Sequence, residues 1–346
     1  MMNREFGIQH PVFDIMKNSA KLNTTAKKWI TQHCGRYALF DEPMALHTTF
    51  RVGGPAEVYI EPPTLDNLKT ILSWLIQNNL PYWVIGTGSN LLVKDNGVQG
   101  VVISLKRCYQ CSIELLKRKK YAILNVASGV RLQTLCQFAI KHGLRGLNFA
   151  LGIPGTVGGG IMMNAGANGK SMGGVLESIT VHFPREGRIG KAPVQIQKMK
   201  IPKSQLKTDY RHFSVFNVQC STRPVIIESS LRLHYEKPSR LKKEAMEILK
   251  IRRLNQPIKS LSAGCFFKNP TGAHKNAVGT AGKLIDLAGL KGKRIGDALV
   301  SHRHANFIIN THTASASDIL ALKNLIQESV FKRFGVTLEP EVEIIG

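Results

Sequence analysis

Acidic residues are scarce in this sequence of 346 residues. It contains 23 aspartates and glutamates against 47 lysines and arginines, which gives a formal net charge of +24 at pH 7. Such an excess favours anionic partners, among which nucleic acids and anionic membranes are the general candidates. Aromatic residues form only 7% of the chain, so few side chains could stack on bases. We therefore expect no nucleic-acid partner, and the positive charge also suits small polyanions.

Cysteine is sparse as well. The six cysteines show no spacing typical of a disulfide scaffold. Cys108 and Cys111 have the CxxC spacing, but no second CxxC or histidine pair follows to complete a zinc site. We expect no metal site.

Long apolar runs are missing from the parts of the chain that could carry a targeting or membrane signal. Asp14, Lys17 and Lys21 interrupt the N-terminal segment, so no secretory signal is evident. Residues 146–169 carry no charge, but their glycines, Pro154 and Asn164 make a poor lipid-facing helix. We expect no membrane insertion and a cytoplasmic location, in which thiols stay reduced.

Glycine is abundant in two loops, and neither matches a common phosphate motif. Residues 152–166 contain six glycines, a density typical of backbone that must approach an anionic group closely. Residues 169–171 imitate the end of a P-loop, but Asn164 stands where that motif needs glycine. Residues 86–91 follow an apolar strand as a dinucleotide fingerprint does, but Leu91 replaces the third glycine. Both loops remain candidates for binding a pyrophosphate.

Apolar spacing predicts several helices and strands. Helices are expected over 64–76, over 132–140 before Gly143, from a cap at Ser239 to Leu254, and from a cap at Ser317 to Gly335. Strands are expected at 82–85, 91–94, 100–105, 121–128, near 178–183, 224–233, 306–310 and 338–345.

Six motifs fall in the order and spacing of one known family. They are HTTFRVGGPA at 47–56, GTGSNLLV at 86–93, GIPGTVGGGIMMNAG at 152–166, DYRHFS at 209–214, AGCFFKNP at 263–270 and LEPEV at 338–342. Together they resemble the UDP-N-acetylenolpyruvoylglucosamine reductase family over roughly residues 40–346. The resemblance implies an α+β fold, with a two-part FAD-binding region of the vanillyl-alcohol-oxidase (PCMH) type and a C-terminal α/β substrate-binding domain.

The same resemblance suggests domain boundaries. The expected segments are an N-terminal extension and helix at 1–40, FAD-binding subdomains at 41–115 and 116–236, and a substrate-binding domain at 237–346.

The activity implied by the resemblance is reduction of UDP-N-acetylglucosamine enolpyruvate to UDP-N-acetylmuramate, a cytoplasmic step of peptidoglycan precursor synthesis. NADPH is the implied hydride donor and FAD the implied carrier, in a ping-pong sequence. We expect the FAD to be noncovalent, because no histidine or cysteine lies at a position that matches a covalent link. A monomer that binds only small molecules is expected.

Three residues match the family's catalytic positions. Arg211 corresponds to the arginine that polarises the substrate carboxylate, a task that suits a fixed guanidinium fork. Glu341 corresponds to its acidic partner. Cys265 stands where the family usually has a serine that donates a proton. A thiol, with an ordinary pKa of about 8.5, is a stronger acid than an alcohol and can donate that proton. The alternative is an inert buried cysteine with water as the donor.

Other predicted site residues follow from the remaining motif positions. The FAD site is expected to use Arg51, Gly53, Gly54, Gly86, Thr87, Gly88, Ser89, Asn90, Leu91, Gly152, Ile153, Pro154, Gly155, Thr156, Gly158, Gly159, Asn164, Ala165 and Gly166. The substrate and nicotinamide site is expected to use Tyr210, Lys268, Asn269, His304 and Asn306. Asn168 departs from the family, which often has tyrosine there, so the local loop is expected to pack differently.

Two other functions remain open on the sequence alone. One is a different FAD-dependent oxidoreductase of the same fold that acts on an alcohol or hydroxy acid. The second is a basic nucleic-acid-binding protein, which would lack flavin and bind DNA with a steep salt dependence.

Overall fold

The computed structural model describes residues 21–108, 113–184, 194–215, 224–270 and 279–346. The chain divides into two compact units. The first unit takes the described residues of Met1–Phe40, Val58–Gly86 and Gln99–Leu249, and the second takes those of Asp41–Glu57, Thr87–Val98 and Lys250–Gly346. Each unit is therefore assembled from separated stretches of sequence.

The helices mostly begin at side-chain caps. In chain order they are α1 (Thr24–Cys34), α2 (Leu65–Gln77), α3 (Leu132–Lys141), α4 (Val157–Met162), α5 (Met172–Val175), α6 (Pro238–Asn255), α7 (Ala281–Leu287) and α8 (Ala316–Phe334). Thr64 caps α2 by accepting a hydrogen bond from the Asn67 amide at 3.1 Å. Gly335 ends α8 with a left-handed φ of 67°, which glycine adopts without strain.

The strands are short apart from those of one large sheet. In chain order they are β1 (Ala38–Pro43), β2 (Pro55–Ile60), β3 (Tyr82–Ile85), β4 (Leu91–Val93), β5 (Val98–Ser104), β6 (Ile113–Lys117), β7 (Tyr121–Ala127), β8 (Leu144–Arg145), β9 (Gly166–Ala167), β10 (Lys170–Ser171), β11 (Leu176–Pro184), β12 (Ile196–Pro202), β13 (Leu206–Asp209), β14 (His212–Val215), β15 (Val225–Tyr235), β16 (Arg294–Ile295), β17 (Ala298–Val300), β18 (Ile308–Asn310) and β19 (Glu343–Ile345).

The first unit is organised around a largely antiparallel sheet in the order β12-β11-β15-β7-β6, with β8 paired to β15. The apolar face of α3, which includes Leu135 and Ala139, packs into one core with Leu124 and Leu231 of this sheet. A separate sheet has the order β1-β2-β5-β3, and its β3–β5 pair is parallel. Helices α1 and α2 supply Ile30 and other buried side chains to the core beside it.

The second unit has its own core. Strands β16, β17 and β18 form an antiparallel sheet, and β19 pairs in parallel with β4. Ile319 and Leu322 of α8 pack with Leu284 of α7 and with Phe266. This core lies directly beneath the segment that contains Cys265, so the segment rests on packed side chains.

The predicted helices over 64–76 and 132–140 are confirmed as α2 and α3. The predicted cap of the last helix is wrong. Ser315, not Ser317, accepts from the Asp318 amide at 3.0 Å, and the Asp318 carboxylate accepts from the Ser315 amide at 2.9 Å. This reciprocal pair satisfies two amides at once, and the prediction overlooked it.

The predicted cap at Ser239 is also wrong, because α6 begins at Pro238. Proline suits the first helical position, since its φ is already helical and its missing N–H would have no partner there. The strands predicted at 306–310 and 338–345 are confirmed only over Ile308–Asn310 and Glu343–Ile345. The residues before them instead bond to the segment that contains Cys265, as the next subsection describes.

Asp95 provides a second cap for α8. Its carboxylate accepts from the Ala316 amide at 2.8 Å, from the Ser317 amide at 2.9 Å and from the Ser317 hydroxyl at 2.5 Å. Partial burial opposes ionisation of Asp95, but these hydrogen bonds outweigh it and hold the pKa of Asp95 below its ordinary value.

We expect Asp95→Ala to lower the free energy of unfolding by about 0.5–2 kcal/mol, the range typical of a lost helix cap. The pKa of Asp95 is depressed in the folded state, so its contribution is present above about pH 4 and is lost as the pH falls through the folded value. Denaturant unfolding at pH 7 and at pH 3 checks this. A stability difference between variant and wild type that does not shrink at pH 3 would contradict the assignment.

Candidate active site

The first glycine loop begins where β3 ends, and its glycines lie in close contact with neighbouring segments. A Cβ at Gly86 would lie 2.4 Å from Thr156 Oγ1, which brings the first unit's two glycine-rich stretches into direct contact. In the second unit, Gly88 has φ 60°, and a Cβ there would lie 2.1 Å from the His47 carbonyl oxygen. Close approach thus favours glycine at both positions, and at Gly88 the left-handed backbone conformation favours it as well.

The second glycine loop leads into helix α4 through a network of backbone bonds. Thr156 caps α4, with the Gly159 amide donating to its hydroxyl at 3.4 Å. The Val157 amide donates to the Val130 carbonyl at 2.8 Å, and the Gly158 amide donates to the Ser128 carbonyl at 2.9 Å. Gly152 and Gly155, with φ of 78° and 127°, turn the chain before the helix, and the partly buried Ile153 packs on the core.

Gly53 and Gly54 lie in the second unit beside the turn that follows β4. A Cβ at Gly54 would lie 2.0 Å from the Asp95 carbonyl oxygen, and the Gly54 amide donates to the Lys94 carbonyl at 3.0 Å. Gly53 has φ 131°, and Arg51 has φ 55°, a left-handed conformation that is uncommon outside glycine. Close packing and backbone conformation therefore favour glycine at positions 53 and 54, in addition to the role predicted for them in the FAD site.

Asn90 joins the first glycine loop to the C-terminal strand. Its side-chain amide donates to the Glu341 carbonyl at 3.0 Å, and the Glu343 amide donates to the Asn90 carbonyl at 3.0 Å. Leu91, the next residue, is buried and pairs with Glu343 in the β4–β19 ladder. A predicted cofactor residue and a predicted catalytic residue, 251 positions apart, are thus neighbours in the second unit.

The segment around Cys265 is held from two sides by backbone bonds. The Phe266 amide donates to the Asn306 carbonyl at 2.7 Å, and the Glu341 amide donates to the Phe266 carbonyl at 2.8 Å. The Lys268 amide donates to the Glu339 carbonyl at 2.8 Å. Cys265, which is partly buried, and Glu341 are therefore fixed close together along two adjoining backbones.

Asn306 and Asn269 support this segment through their side chains. The Asn306 side chain is buried. Its Oδ1 accepts from the Phe267 backbone amide at 2.9 Å, and its Nδ2 donates to the Phe267 carbonyl at 2.8 Å. Asn269 Oδ1 accepts from the Ala281 amide at the start of α7 at 3.1 Å. Lys268 Nζ lies 3.3 Å from Glu339 Oε2. Their predicted substrate contacts remain predictions, and the structure adds a supporting role for each.

His304 is a partly buried neighbour of the same segment. Partial burial, with a further contribution from Lys291, holds the pKa of His304 below its ordinary value, which favours the neutral ring. Its Nδ1 accepts from the Asn306 amide at 3.3 Å. A neutral ring that accepts a hydrogen bond from the backbone of its own loop can stabilise that loop, in addition to the substrate contact predicted for it.

Arg211 lies at the tip of the β13–β14 hairpin in the first unit. Asp209 pairs with His212, so only Tyr210 and Arg211 form the turn. Arg211 has φ 54°, and its guanidinium carbon lies 5.3 Å from the centre of the Tyr210 ring. A left-handed arginine is strained relative to glycine, and such strain is concentrated at functional sites.

Two other cysteines are poor candidates for chemistry. Burial raises the pKa of Cys34 to about 11 and that of Cys108 to about 12. The Cys108 thiol donates to the Pro62 carbonyl at 2.9 Å. Cys111, its CxxC partner, lies outside the described residues. Within the described ranges no three His, Cys, Asp or Glu side chains are grouped to hold a metal ion.

Comparisons with known proteins agree with this geometry. Residues 256–345 match the family model of the UDP-N-acetylenolpyruvoylglucosamine reductase C-terminal domain, and residues 56–189 match the FAD binding domain. The UDP-N-acetylenolpyruvoylglucosamine reductase of Desulfosudis oleivorans is 41% identical over 322 residues, which cover 92% of this chain and 98% of that protein. The chain belongs to the UDP-N-acetylenolpyruvoylglucosamine reductase family.

Further relatives support the family assignment. The reductase of Clostridium botulinum strain 657 is 39% identical over 308 residues, covering 89% of this chain and 92% of that protein. A crystal structure of the reductase from Thermus caldophilus is 32% identical, has a TM-score of 0.68, and covers 89% of this chain and 98% of that one. The predicted α+β fold, with an FAD-binding region and a C-terminal reductase domain, is confirmed, and the chain is an enzyme of the oxidoreductase class.

The reductase family implies bound FAD, and the first unit contains a place that fits a polar ligand. Ser128 is 2% exposed, and its hydroxyl has no hydrogen-bond partner within the described part of the chain. A Cβ at Gly158 would lie 2.7 Å from the Ser128 Cβ, so the glycine backbone of α4 lies directly against this residue. An unpaired buried hydroxyl beside glycine backbone suits a ligand oxygen.

Sequence reasoning missed Ser128. The available signal was its position, because Ser128-Gly129 directly follows the apolar strand β7 and precedes α3. Ser-Gly marks a loop between the strand and the helix, and loops held by such elements often carry binding residues.

The predicted catalytic residues are distributed over the two units. Arg211 belongs to the first unit, and Cys265, Lys268 and Glu341 belong to the second. The described residues contain no helix that is long and apolar enough to cross a membrane.

Proposed function

We propose that this chain reduces UDP-N-acetylglucosamine enolpyruvate to UDP-N-acetylmuramate with electrons from NADPH. The observation that carries the proposal is the fixed pair of Cys265 and Glu341 within the match to the reductase C-terminal domain. When bound, FAD supplies the hydride carrier between NADPH and the substrate. Gly86, Gly158 and Ser128 in the first unit would hold its polar groups, together with the other predicted cofactor residues.

The chain's own residues have two tasks in this reaction. Adding a hydride to the terminal carbon of the enol ether leaves negative charge on the neighbouring carbon and its carboxylate. Arg211, with Glu341 as its acidic partner, acts on that carboxylate, where a preorganised guanidinium stabilises negative charge as it develops. The Cys265 thiol donates the proton that completes the new C–H bond, and solvent then returns a proton to the thiolate. The C=C bond is reduced to a single bond, and NADPH is oxidised.

Several finer statements belong to the same proposal. The enzyme works as a monomer in the cytoplasm, binds no nucleic acid and does not insert into membranes. The four segments 1–40, 41–115, 116–236 and 237–346 are the proposed domains. Tyr210, Lys268, Asn269, His304 and Asn306 are the proposed substrate and nicotinamide contacts.

The purified protein is expected to be yellow, to contain about one FAD per chain, and to release that FAD on acid precipitation. NADPH should bleach the flavin absorbance under anaerobic conditions, and the enolpyruvate substrate should restore it. A panel of alcohols and hydroxy acids serves as the control, because a different oxidoreductase of this fold would be reduced by one of them. Flavin that stays in the acid precipitate would contradict noncovalent binding, and reduction by a hydroxy acid but not by NADPH would contradict the proposed reaction.

A further inference from the structure

Asn164 connects the end of α4 to the hairpin that carries Arg211. Its side chain is 6% exposed. Nδ2 donates to the Asp209 carbonyl at 2.6 Å, and Oδ1 accepts from the Gly173 amide at 2.9 Å. One partner is an acceptor and the other a donor, so the amide has a single orientation that satisfies both. The residue itself has φ 39°, a conformation that asparagine tolerates better than most side chains.

Gly173 contacts the same hairpin independently. A Cβ at this position would lie 2.4 Å from Oγ1 and 2.6 Å from Cβ of Thr208 on β13. The start of α5 therefore packs against the strand with no room for a methyl group. Gly174, the next residue, would place a Cβ in open space.

The chain between these two residues is a closed turn. Ala167 pairs with Lys170, and Asn168 and Gly169 connect them with φ of 53° and 75°. Asn-Gly is the sequence that favours such a two-residue turn, because both positions need positive φ. The Met172 amide then donates to the Ala165 carbonyl at 3.0 Å. The turn thus brings the Gly173 amide within hydrogen-bond distance of the Asn164 side chain. The left-handed φ of Asn168 also explains why asparagine, which tolerates that conformation, replaces the family's tyrosine there.

Arg211 is two residues from the Asp209 carbonyl that Asn164 binds. A two-residue hairpin turn has little freedom of its own, so the position of its tip depends on how its two strands are held. On β13, Asp209 is hydrogen-bonded to Asn164 and Thr208 is in contact with Gly173. Both contacts come from the stretch that directly continues the second glycine loop.

We propose that Asn164 and Gly173 are positioning residues, which hold the Arg211 hairpin in register for the substrate carboxylate. The inference rests on the proposed function, because the role of Arg211 toward the substrate carboxylate is part of that proposal. It assigns the Asn164 side chain to the hairpin, in place of the flavin contact that the motif predicted for this residue. A misplacement of about 1 Å in a positioned catalytic group lowers a rate by about 100-fold, so the effect is measurable.

The test uses the flavin-loaded enzyme and separates the two half-reactions by stopped flow. Asn164→Asp replaces the donor with an oxygen that faces the Asp209 carbonyl, so it should slow reoxidation by the enolpyruvate substrate by about 10- to 100-fold. FAD content should stay within about two-fold of the wild type. Reduction by NADPH should fall less than reoxidation, because Arg211 acts only on the enolpyruvate carboxylate, whereas Tyr210 is the hairpin residue proposed to contact the nicotinamide. Gly173→Ala should give the same split through steric displacement, whereas Gly174→Ala should behave as the wild type.

Each outcome supports or overturns the inference. Unchanged reoxidation in both Asn164→Asp and Gly173→Ala overturns it. Loss of FAD from Asn164→Asp overturns it in favour of the predicted flavin contact. Equal loss in both half-reactions, with a lower melting temperature, overturns it in favour of a general structural role. Failure of the wild-type enzyme to be reoxidised by the substrate would instead contradict the proposed function.

Discussion

Replacing Cys265 with alanine is expected to slow reoxidation of the NADPH-reduced enzyme by about 10²–10⁴-fold, the range typical of losing a general acid. The Cys265→Ser variant should keep substantial activity, because the family usually has serine here and a hydroxyl can donate the same proton. The backbone should not move in either variant. The neighbouring Phe266 is fixed through its amide to Asn306 and through its carbonyl to Glu341, and neither bond involves the Cys265 side chain.

Stopped-flow reoxidation of the three enzymes, after anaerobic reduction by NADPH, measures this effect directly. An alanine variant that is reoxidised as fast as the wild type would remove Cys265 from the mechanism and leave water as the proton donor.

Alkylation supplies an independent readout of the same residue. The raised pKa values of Cys34 and Cys108 leave those thiols largely protonated and slow to react. Inactivation by iodoacetamide should therefore be slowed by bound substrate or NADP⁺ and should be absent from Cys265→Ser. Inactivation of the serine variant at the wild-type rate would assign the sensitivity to another cysteine.

Replacing Arg211 with glycine is expected to separate stability from activity. The arginine has φ 54° in a two-residue turn, and glycine adopts this conformation without the penalty of about 1–2 kcal/mol that other residues incur. The free energy of unfolding should therefore be unchanged or higher in Arg211→Gly. Reoxidation by the substrate should fall by about 10²–10³-fold, since the group that stabilises charge on the carboxylate is gone. Reduction by NADPH should be less affected.

The chain offers a matched control for the effect of the left-handed backbone on stability. Asn79 also has a left-handed φ, of 51°, and it lies just after α2. Asn79→Gly should change stability in the same direction as Arg211→Gly while leaving both half-reactions intact. Glu341→Gln should share the activity pattern of Arg211→Gly, with reoxidation lost more than reduction. Equal losses in the two half-reactions of Arg211→Gly would indicate a folding or binding defect.

Local sequence patterns predicted the features that depend on residues close together in the chain, such as the periodic helices and the end of α8. Helix α2 follows from the apolar spacing of Leu68, Leu72 and Leu75, because these side chains recur on one face at the helical period. Gly335 ends α8 as expected, since glycine adopts the left-handed φ at no steric cost. Six motifs in register also predicted the family, which the similarity over 92% of the chain confirms.

Tertiary structure decided the features that join distant parts of the chain. No local pattern places the Asn90 amide on the Glu341 carbonyl, 251 residues away, or the Asp95 carboxylate at the start of α8. Gly86 was expected in a glycine loop, but its contact with Thr156 depends on how two separate segments pack. The identities of Asn164 and Gly173 likewise have a reason only in the folded protein, where Asp209 and Thr208 lie against them. The sequence alone thus determined the strongly periodic helices such as α2 and α3, the motifs and the family, because apolar periodicity and motifs depend on residues close together in the chain. The partners of the site residues required the fold, because a hydrogen bond between distant residues depends on the packing of everything between them.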